Sequence, residues 1–279
     1  MKKDTASQKH ITPSLTGRAG GGSSIAIIGA GNMGGAIAEA LLQIGGHEVT
    51  VSNRSEGKLE RFAAAGASVT TDNCVAAKDA DLVILAVKPW LVEDVLNELV
   101  SNVDFTGKTL VSVAAATTGE QLCQWAGEGP QILTAIPNTA IANLASMTFV
   151  VPVRADEDTT AQVKALFDTM GQTMVIDEAH LPAATALASC GIAYALRYVR
   201  AATEGGVQLG FRAAEAQDIV AQTLRGAVSL LEKEGAHAEA EIDKVTTPGG
   251  LTIRGLNAME EAGFTNAVIQ GLVKSRPTL

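Results

Sequence analysis

Hydrophobic and polar positions follow one pattern as far as Asp177 and a different pattern after it. In the first part, short apolar runs typical of buried parallel strands alternate with segments in which apolar residues recur at helical spacing. This alternation predicts a doubly wound α/β sheet of the Rossmann-like class. The predicted strands cover residues 25–28, 48–52, 67–70, 82–87, 109–114, 131–136, 147–151 and 173–176, and the predicted helices cover 55–65, 72–78, 90–101 and 156–170.

The part after Asp177 contains no strand-like run and predicts helices only, over 179–209, 213–234, 238–245, 249–262 and 266–274. The first of these segments is apolar on more than one side, through Leu187, Tyr194, Leu196 and Val199. A helix that is apolar all round is buried, and a separate domain of about a hundred residues cannot bury so much surface alone. We therefore expect association into a homodimer or a higher homo-oligomer.

These patterns divide the chain into a flexible leader (1–22), a Rossmann domain (23–177) and an all-α C-terminal dimerisation domain (178–279). The leader lacks apolar periodicity and ends in three consecutive glycines. It also lacks the hydrophobic segment of a secretory signal. We expect a flexible or vector-derived leader that takes no part in the fold.

Composition narrows the classes of partner and the compartment. The 279 residues carry a formal charge of −9, and an acidic chain without basic blocks is a poor candidate for binding nucleic acid. No uninterrupted apolar run reaches the ~18 residues of a membrane span. The cysteines are odd in number and scattered, which favours reduced thiols in a cytoplasmic protein, and the histidines show no metal-ligand spacing. The sequence therefore predicts no nucleic-acid partner, no membrane partner and no metal site.

A glycine-rich turn follows the first predicted strand. Gly29-Ala30-Gly31-Asn32-Met33-Gly34 matches G-x-G-x-x-G and leads directly into a helical pattern. In this motif Gly29 permits the tight turn, Gly31 lets a pyrophosphate approach the backbone, and Gly34 lets helix and strand pack closely. The helix N-terminus offers free N–H groups and a favourable dipole to the phosphates. Between a strand and a helix the motif predicts dinucleotide binding; the alternative is a structural turn in another doubly wound domain.

The end of the second strand bears on the choice of cofactor. NAD enzymes usually carry an Asp or Glu there for the ribose hydroxyls, whereas this chain reads Ser52-Asn53-Arg54-Ser55. Arg54 can pair with a 2′-phosphate, and Asn53 and Ser55 can add neutral hydrogen bonds. The sequence predicts that NADPH is preferred and NADH is possible. The alternative is that Arg54 is a solvated charge and Ser55 only the N-cap of the next helix.

A second candidate anion site lies at residues 246–252. Pro248 suits a first helical position, Gly249 and Gly250 leave backbone N–H groups approachable, and threonine hydroxyls surround them. This arrangement favours a small anion such as a carboxylate at a helix N-terminus. The alternative is an ordinary loop between two helices, with Thr247 as N-cap.

From about Ser24 to Ser275 the chain resembles pyrroline-5-carboxylate reductase, the last enzyme of proline synthesis. The resemblance rests on an ordered set of motifs: Gly29 to Gly34, Asn73, Ala86-Val87-Lys88-Pro89, Pro137-Asn138-Thr139, Glu204-Gly205-Gly206-Val207-x-Leu209-Gly210 and Thr247-Pro248-Gly249-Gly250-x-Thr252-Ile253. The whole set is stronger evidence than any one motif, and the last motif is the most specific.

The resemblance implies an NAD(P)H-dependent reduction of the cyclic imine to L-proline, with a helical domain that dimerises by interleaving. It implies an active site between the Rossmann domain and helices of the partner subunit. Cofactor contacts carried over by position are Gly29, Gly31, Asn32, Met33, Gly34, Arg54 and Ser55 for the phosphates, Asn73 for the adenosine half, and Ala86, Val87 and Lys88 for the nicotinamide half. Thr247, Gly249, Gly250 and Leu251 would hold the substrate carboxylate, and Thr252 would hydrogen-bond the ring nitrogen as the catalytic residue.

The chain departs from the family where S-G-S-G-P-A-Y is usual and Ala188-Ser189-Cys190-Gly191-Ile192-Ala193-Tyr194 is present. Ile192 restores an N–H that proline lacks, so a more regular helix is expected here. Cys190 is interpreted as a packed thiol, since no histidine is near it in sequence. Lys244 stands where the family tends to have an uncharged amide. These changes bear on which substrate is reduced and how efficiently, more than on the fold or on the choice of cofactor.

Three other functions remain open from the sequence alone. One is a β-hydroxyacid dehydrogenase-like reductase of another small imino or oxo acid, although no lysine after Asp177 lies in a matching motif. Another is a deazaflavin-linked NADP oxidoreductase, which shares the Rossmann half but does not explain residues 247–252. The third is a catalytically silent nicotinamide-binding module.

Overall fold

The computed structural model of the chain describes residues 22–277, so all of the predicted leader except Gly22 lies outside the described part. Two compact units divide the chain, the first ending at Ala184 and the second beginning at Thr185. The sequence-based boundary at 177/178 stays a prediction.

The first unit is built on one eight-stranded sheet with strand order β3-β2-β1-β4-β5-β6-β7-β8. All neighbouring pairs are parallel except β6 and β7, which are antiparallel. The order reverses beside β1, which is the topological switch point of a doubly wound sheet. The strands are β1 (Ser24–Ile28), β2 (Glu48–Ser52), β3 (Ser68–Thr70), β4 (Leu82–Leu85), β5 (Thr109–Ser112), β6 (Gln131–Ile136), β7 (Ser146–Arg154) and β8 (Gly171–Val175).

Helices cover both faces of this sheet. Alternate residues of β1 enter different cores: Ile25 and Ile27 belong to one cluster, and Ala26 and Ile28 to the other. This is the period of two expected for a strand buried on both faces. The helices of the first unit are α1 (Asn32–Ile44), α2 (Glu60–Ala64), α3 (Asn73–Lys78), α4 (Val92–Asn102), α5 (Gly119–Ala126), α6 (Glu157–Asp168) and α7 (Leu181–Ala184).

Several predicted boundaries in the first unit are corrected. The predicted helix 55–65 is a 3-10 turn, Glu56–Lys58, followed by the short helix α2. Helix α5 was not predicted, and it begins at a capping box in which Thr118 accepts from Gln121 N and the Gln121 side chain accepts from Thr118 N. The antiparallel direction of β7 was not predicted either. A strand has the same hydrophobic period in both directions, so the pattern alone does not reveal it.

The second unit is entirely helical among its described residues. It contains a π-helical turn, Thr185–Cys190, followed by α8 (Gly191–Gln208), α9 (Ala213–Leu231), α10 (Ala238–Lys244), α11 (Leu251–Glu261) and α12 (Phe264–Lys274). Within α8 to α12 only Thr203 and Ala216 are buried. Many large apolar side chains are exposed instead, including Leu196 (61%), Leu209 (83%) and Val273 (62%).

The predicted continuous helix 179–209 is wrong in detail. Its first residues form a 3-10 turn and α7, and the π-helical turn then changes the hydrogen-bond pattern before α8 begins. The more regular helix expected from Ile192 is therefore not found just before that residue. Hydrophobic spacing indicates which residues are helical, but it does not show which carbonyl accepts the hydrogen bond from each N–H, and this is what distinguishes α, 3-10 and π helices.

One helical stretch among the described residues, Glu178–Gln208, is long and apolar enough to cross a membrane by length and composition. Length and composition alone are weak evidence, because core helices of soluble proteins satisfy the same criteria.

Candidate functional site

The glycine-rich turn lies at the carboxyl edge of the sheet, at its switch point. In the parallel register Ile28 is level with Ser52 of β2 and with Leu85 of β4. The ladder continues one residue further, since Gly29 N donates to Ser52 O (2.9 Å) and Ala86 N donates to Ile28 O (2.8 Å). Ligands of open α/β sheets bind at this edge and at this point. The predicted turn, the second-strand loop and the Ala86 segment are therefore brought together.

The glycines of the turn differ in the space around them. Gly29 has φ +102, and a Cβ added there would lie 2.8 Å from Ala86 O. A Cβ at Gly34 would lie 2.0 Å from Gly29 O and 2.8 Å from the Ala86 Cβ. At Gly31 an added Cβ would meet no described atom within 4 Å. Gly29 and Gly34 are therefore needed by the fold, whereas Gly31 leaves an approach open.

This approach fits the phosphates of a dinucleotide. Gly31 is the N-cap of α1 and offers no side chain to its N-terminus. The first N–H groups of a helix have no acceptor within it, so those of Asn32, Met33 and Gly34 are suited to an anion. The residues present thus match the predicted role.

Asn53, for which a cofactor contact stays a prediction, makes two hydrogen bonds within the protein. Its Oδ1 accepts from Ala30 N (3.3 Å), and its Nδ2 donates to Ser55 O (3.1 Å). The side chain thereby ties the glycine-rich turn to the loop after β2, and much of its hydrogen-bonding capacity is used within the protein. We interpret Asn53 as a residue that positions both loops.

Arg54 and Ser55 remain free to bind an anion. Both are exposed, and Arg54 forms no ion pair or hydrogen bond with another described residue. Ser55 stands at the N-cap position of the 3-10 turn, but its hydroxyl makes no capping hydrogen bond. The alternative in which Ser55 serves only as a cap is therefore not supported.

Asn73 lies at the start of α3, just beyond β3. Its Oδ1 accepts from the Ser52 hydroxyl (2.8 Å), and its Nδ2 donates to Glu98 Oε2 (3.2 Å). Neither Ser52 nor Glu98 was predicted, because their contacts with Asn73 join residues more than 20 positions apart. The sequence showed only a serine at the end of a predicted strand, and its burial is seen in the structure.

The Ala86 segment follows β4 directly. Ala86 and Val87 are half-buried and Lys88 is exposed. Lys88 also precedes Pro89, which opens a 3-10 turn. Backbone and side chains here are accessible at the same edge as the glycine-rich turn.

In the second unit, Thr247 to Gly250 form a tight turn rather than the first turn of a helix. Gly250 N donates to Thr247 O (3.0 Å), and Gly249 has φ +66, as the third residue of a type II turn requires. Helix α11 begins at Leu251 with Gly250 as its N-cap. The predictions of Pro248 at the first helical position, and of Thr247 as a possible N-cap, are therefore wrong.

The turn still places an accessible helix N-terminus beside hydroxyl groups. No side chain caps α11, and Leu251 and Thr252 are exposed. The Gly250 N–H is used inside the turn, and the Thr246 hydroxyl donates to Ile242 O (2.7 Å). The groups left for a carboxylate are the first N–H groups of α11 and the hydroxyls of Thr247 and Thr252.

The cysteines are all free thiols. Burial, followed by the charges of Glu98 and Asp72, raises the pKa of the Cys74 thiol above its ordinary value. Since the thiolate is the reactive form, Cys74 is not poised as a nucleophile.

Comparison with known proteins agrees with this geometry. A family model described as pyrroline-5-carboxylate reductase dimerisation matches residues 178–277, and one described as NADP oxidoreductase, coenzyme F420-dependent, matches residues 24–116. Pyrroline-5-carboxylate reductase 1 of Dictyostelium discoideum is 37% identical over 266 residues, covering 90% of this chain and 48% of that protein. Pyrroline-5-carboxylate reductase 2 of the same organism is 34% identical over 271 residues, covering 90% of each.

The chain belongs to the pyrroline-5-carboxylate reductase family. A solved pyrroline-5-carboxylate reductase from Coxiella burnetii has the same fold, with a TM-score of 0.83 at 29% identity, over 91% of this chain and 96% of that one. The predicted family and fold class are confirmed. The likeness to deazaflavin-linked NADP oxidoreductases is also found, over residues 24–116. The chain spans about half the length of the first Dictyostelium relative and nearly all of the second.

Proposed function

We propose that this chain reduces the cyclic imine of 1-pyrroline-5-carboxylate to L-proline with NAD(P)H. The observation that carries the proposal is the open approach at Gly31, on the helix N-terminus at the switch point, in a chain of this family. The relatives named pyrroline-5-carboxylate reductase support the choice of substrate.

The protein's part in the reaction is binding and orientation. The nicotinamide cofactor supplies the hydride. The first N–H groups of α1 hold its diphosphate, and Ala86, Val87 and Lys88 contact its nicotinamide half. The first N–H groups of α11, with Thr247, hold the substrate carboxylate. Holding both reactants in a reactive geometry is worth several powers of ten in rate.

Thr252 orients the ring nitrogen in this proposal. A threonine hydroxyl is a poor acid at neutral pH, so it hydrogen-bonds the nitrogen without supplying most of its proton. The exposed Thr252 side chain has no hydrogen bond to another described residue, and it is therefore available for this contact.

We further propose that NADPH is preferred over NADH. Arg54 is unpaired among the described residues, and no carboxylate occupies residues 52–55 to repel a 2′-phosphate. A guanidinium pairs with phosphate through charge-assisted hydrogen bonds. Asn53 supports the preference indirectly, because it holds the loop that carries Arg54.

We also propose a homodimer or higher homo-oligomer that is cytoplasmic and has neither nucleic-acid nor membrane partners. The exposed apolar side chains of α8 to α12 and the match to a dimerisation model support the association. Free cysteines agree with the proposed compartment, and a charge of −9 agrees with the absence of a nucleic-acid partner. Sedimentation of the purified protein without detergent tests the assembly, and cell fractionation tests the compartment.

The activity is tested by following oxidation of NADPH and NADH with pyrroline-5-carboxylate. Thr252→Ala should lower kcat while leaving the affinity for NADPH unchanged, because Thr252 contacts only the substrate in this proposal. Thr106→Ala, an exposed threonine in the loop before β5, is the matched control. An unchanged rate in Thr252→Ala contradicts the role of that residue. Tight NADPH binding without turnover indicates a silent module.

A second candidate is reduction of a different small imino or oxo acid. It is favoured by the altered segment 188–192, where the Ser189 hydroxyl is buried without a hydrogen-bond partner. A buried hydroxyl of this kind is suited to a polar ligand atom. Turnover with another cyclic imine or with an oxo acid, but not with pyrroline-5-carboxylate, supports this candidate.

A further inference from the structure

A chain of hydrogen bonds connects the glycine-rich turn to an acidic side chain on α4. Gly29 N donates to Ser52 O (2.9 Å), and the Ser52 hydroxyl donates to Asn73 Oδ1 (2.8 Å). Asn73 Nδ2 then donates to Glu98 Oε2 (3.2 Å). A backbone bond thus joins the turn after β1 to the end of β2, and two side-chain bonds join β2 to α3 and α3 to α4.

The carboxylate at the end of this chain fixes which way the Asn73 amide faces. An ionised carboxylate can only accept hydrogen bonds, so it selects the Nδ2 side of the amide. The amide oxygen must then face Ser52, whose hydroxyl donates to it. With the amide reversed, Oδ1 would face the Glu98 carboxylate, and two acceptors would oppose each other.

Glu98 is itself held in place. Its backbone carbonyl accepts from Asn102 Nδ2 (2.7 Å) and from Cys74 Sγ (3.8 Å). The second of these contacts ties the middle of α4 to the start of α3. The carboxylate therefore acts from a fixed backbone, although its side chain is exposed.

The amide lies where it can meet a bound nucleotide. Ser52 ends β2 and Asn73 follows β3, so both lie at the carboxyl edge beside the glycine-rich turn. The adenosine ribose of a dinucleotide occupies this side of the switch point. A ribose hydroxyl can donate or accept and so adapts to the edge that the amide presents; an amide already fixed in one orientation is pre-organised for this contact.

We infer that Glu98 is a positioning residue for the adenosine half of the cofactor and acts by fixing the orientation of the Asn73 amide. The inference rests on the proposed function, because it presupposes that a nicotinamide dinucleotide binds at this edge. It assigns Glu98 no contact with the cofactor itself.

Glu98→Gln tests the inference, since glutamine can donate as well as accept and satisfies both orientations of the amide. We expect the dissociation constants of NADPH and NADH to rise together by about fivefold, the change produced by losing one ordinary hydrogen bond. The kcat at saturating cofactor should stay within about twofold, because positioning the adenosine half leaves the chemical step unchanged. Titration of the purified protein with each cofactor gives the affinities without turnover.

Glu93→Gln is the matched control, because it removes the same charge from another exposed position on α4. A double-mutant cycle with Asn73→Ala separates positioning from a general effect of charge. If Glu98 acts through Asn73, Glu98→Gln has no further effect in the Asn73→Ala background. Thermal unfolding of each variant confirms that the fold is intact.

Different results overturn different claims. Equal cofactor affinities in Glu98→Gln and Glu93→Gln, or an undiminished effect of Glu98→Gln when Asn73 is alanine, overturn the inference alone. Weakening of NADPH but not of NADH also overturns it, because that result assigns the effect to the 2′-phosphate. If the unaltered protein binds neither cofactor, the proposed function falls and the inference falls with it.

Discussion

Gly31 and Gly34 bracket the first turn of α1 and offer a direct test of the cofactor site. Substitution by alanine should weaken cofactor binding at Gly31 and should lower the stability of the fold at Gly34. At Gly31 the backbone has φ −76 and ψ −164, which any residue adopts, and an added Cβ meets no described atom within 4 Å. The fold should accept Gly31→Ala. Alanine is a poorer N-cap than glycine, so the free energy of unfolding should fall by at most about 1 kcal/mol.

Cofactor binding should respond much more strongly to Gly31→Ala. The methyl group occupies the approach through which a diphosphate reaches the first N–H groups of α1. Each hydrogen bond from such a group to a charged oxygen contributes about 1.5–3 kcal/mol, so losing one or two weakens NADPH binding roughly a hundredfold.

Gly34→Ala, in contrast, should lower the stability of the fold more than Gly31→Ala does. Its Cβ would lie 2.0 Å from Gly29 O, a distance that requires the turn and α1 to move apart. Overpacking against backbone typically costs 1–3 kcal/mol or more, so the free energy of unfolding should fall by about 3 kcal/mol. Thermal unfolding measures stability, and nucleotide titration measures affinity. The reasoning is refuted if Gly31→Ala binds NADPH within about threefold of the unaltered protein, or if it loses as much stability as Gly34→Ala.

Other predictions concern the cofactor preference and stability. Arg54→Ala should weaken NADPH roughly tenfold and leave NADH unchanged in steady-state assays with both cofactors, since only NADPH carries the 2′-phosphate; equal losses would contradict the pairing. Thr118→Ala should lower the free energy of unfolding by about 1 kcal/mol in denaturant titration, because it removes the capping box of α5. Burial lowers the pKa of His47 below its ordinary 6.5, so the unfolded state binds more protons below that pH. Stability should therefore fall as the pH drops from about 6.5 through the lowered pKa, and His47→Gln should flatten this part of the pH profile.

The parts of the fold that follow from local pattern could be predicted from the sequence. The strand at residues 82–85 is a continuous apolar run, and it lies at the centre of the sheet beside β1. The glycine-rich turn was also predictable, because the phosphate binding proposed for it depends on backbone N–H groups and on the absence of side chains. Both features are encoded within a few consecutive residues.

Features that depend on distant partners could not be predicted. Asn53 has a residue type suited to a cofactor contact, yet its amide is used between Ala30 and Ser55. The contact between Asn73 and Glu98 spans 25 positions and has no local signature. Helix α5 differs from these contacts because it has a local signal: its capping box was visible in the sequence as Thr118 and Gln121. The helix was not predicted because its apolar pattern is short.

The candidate substrate site at residues 246–252 shows how a sequence pattern can place a helix start a few positions from where it lies. Proline, glycine and threonine at 246–250 predict both a helix start and a tight turn, because proline fits the first position of a helix and the second position of a turn. The positive φ of Gly249 decides for the turn and moves the start of α11 to Leu251. This shift changes which groups are available to a substrate, since the Gly250 N–H closes the turn while the N–H groups after it stay open. Thr252, the second residue of α11, thus stands among these open groups, and it is the hydroxyl on which the proposed chemistry depends.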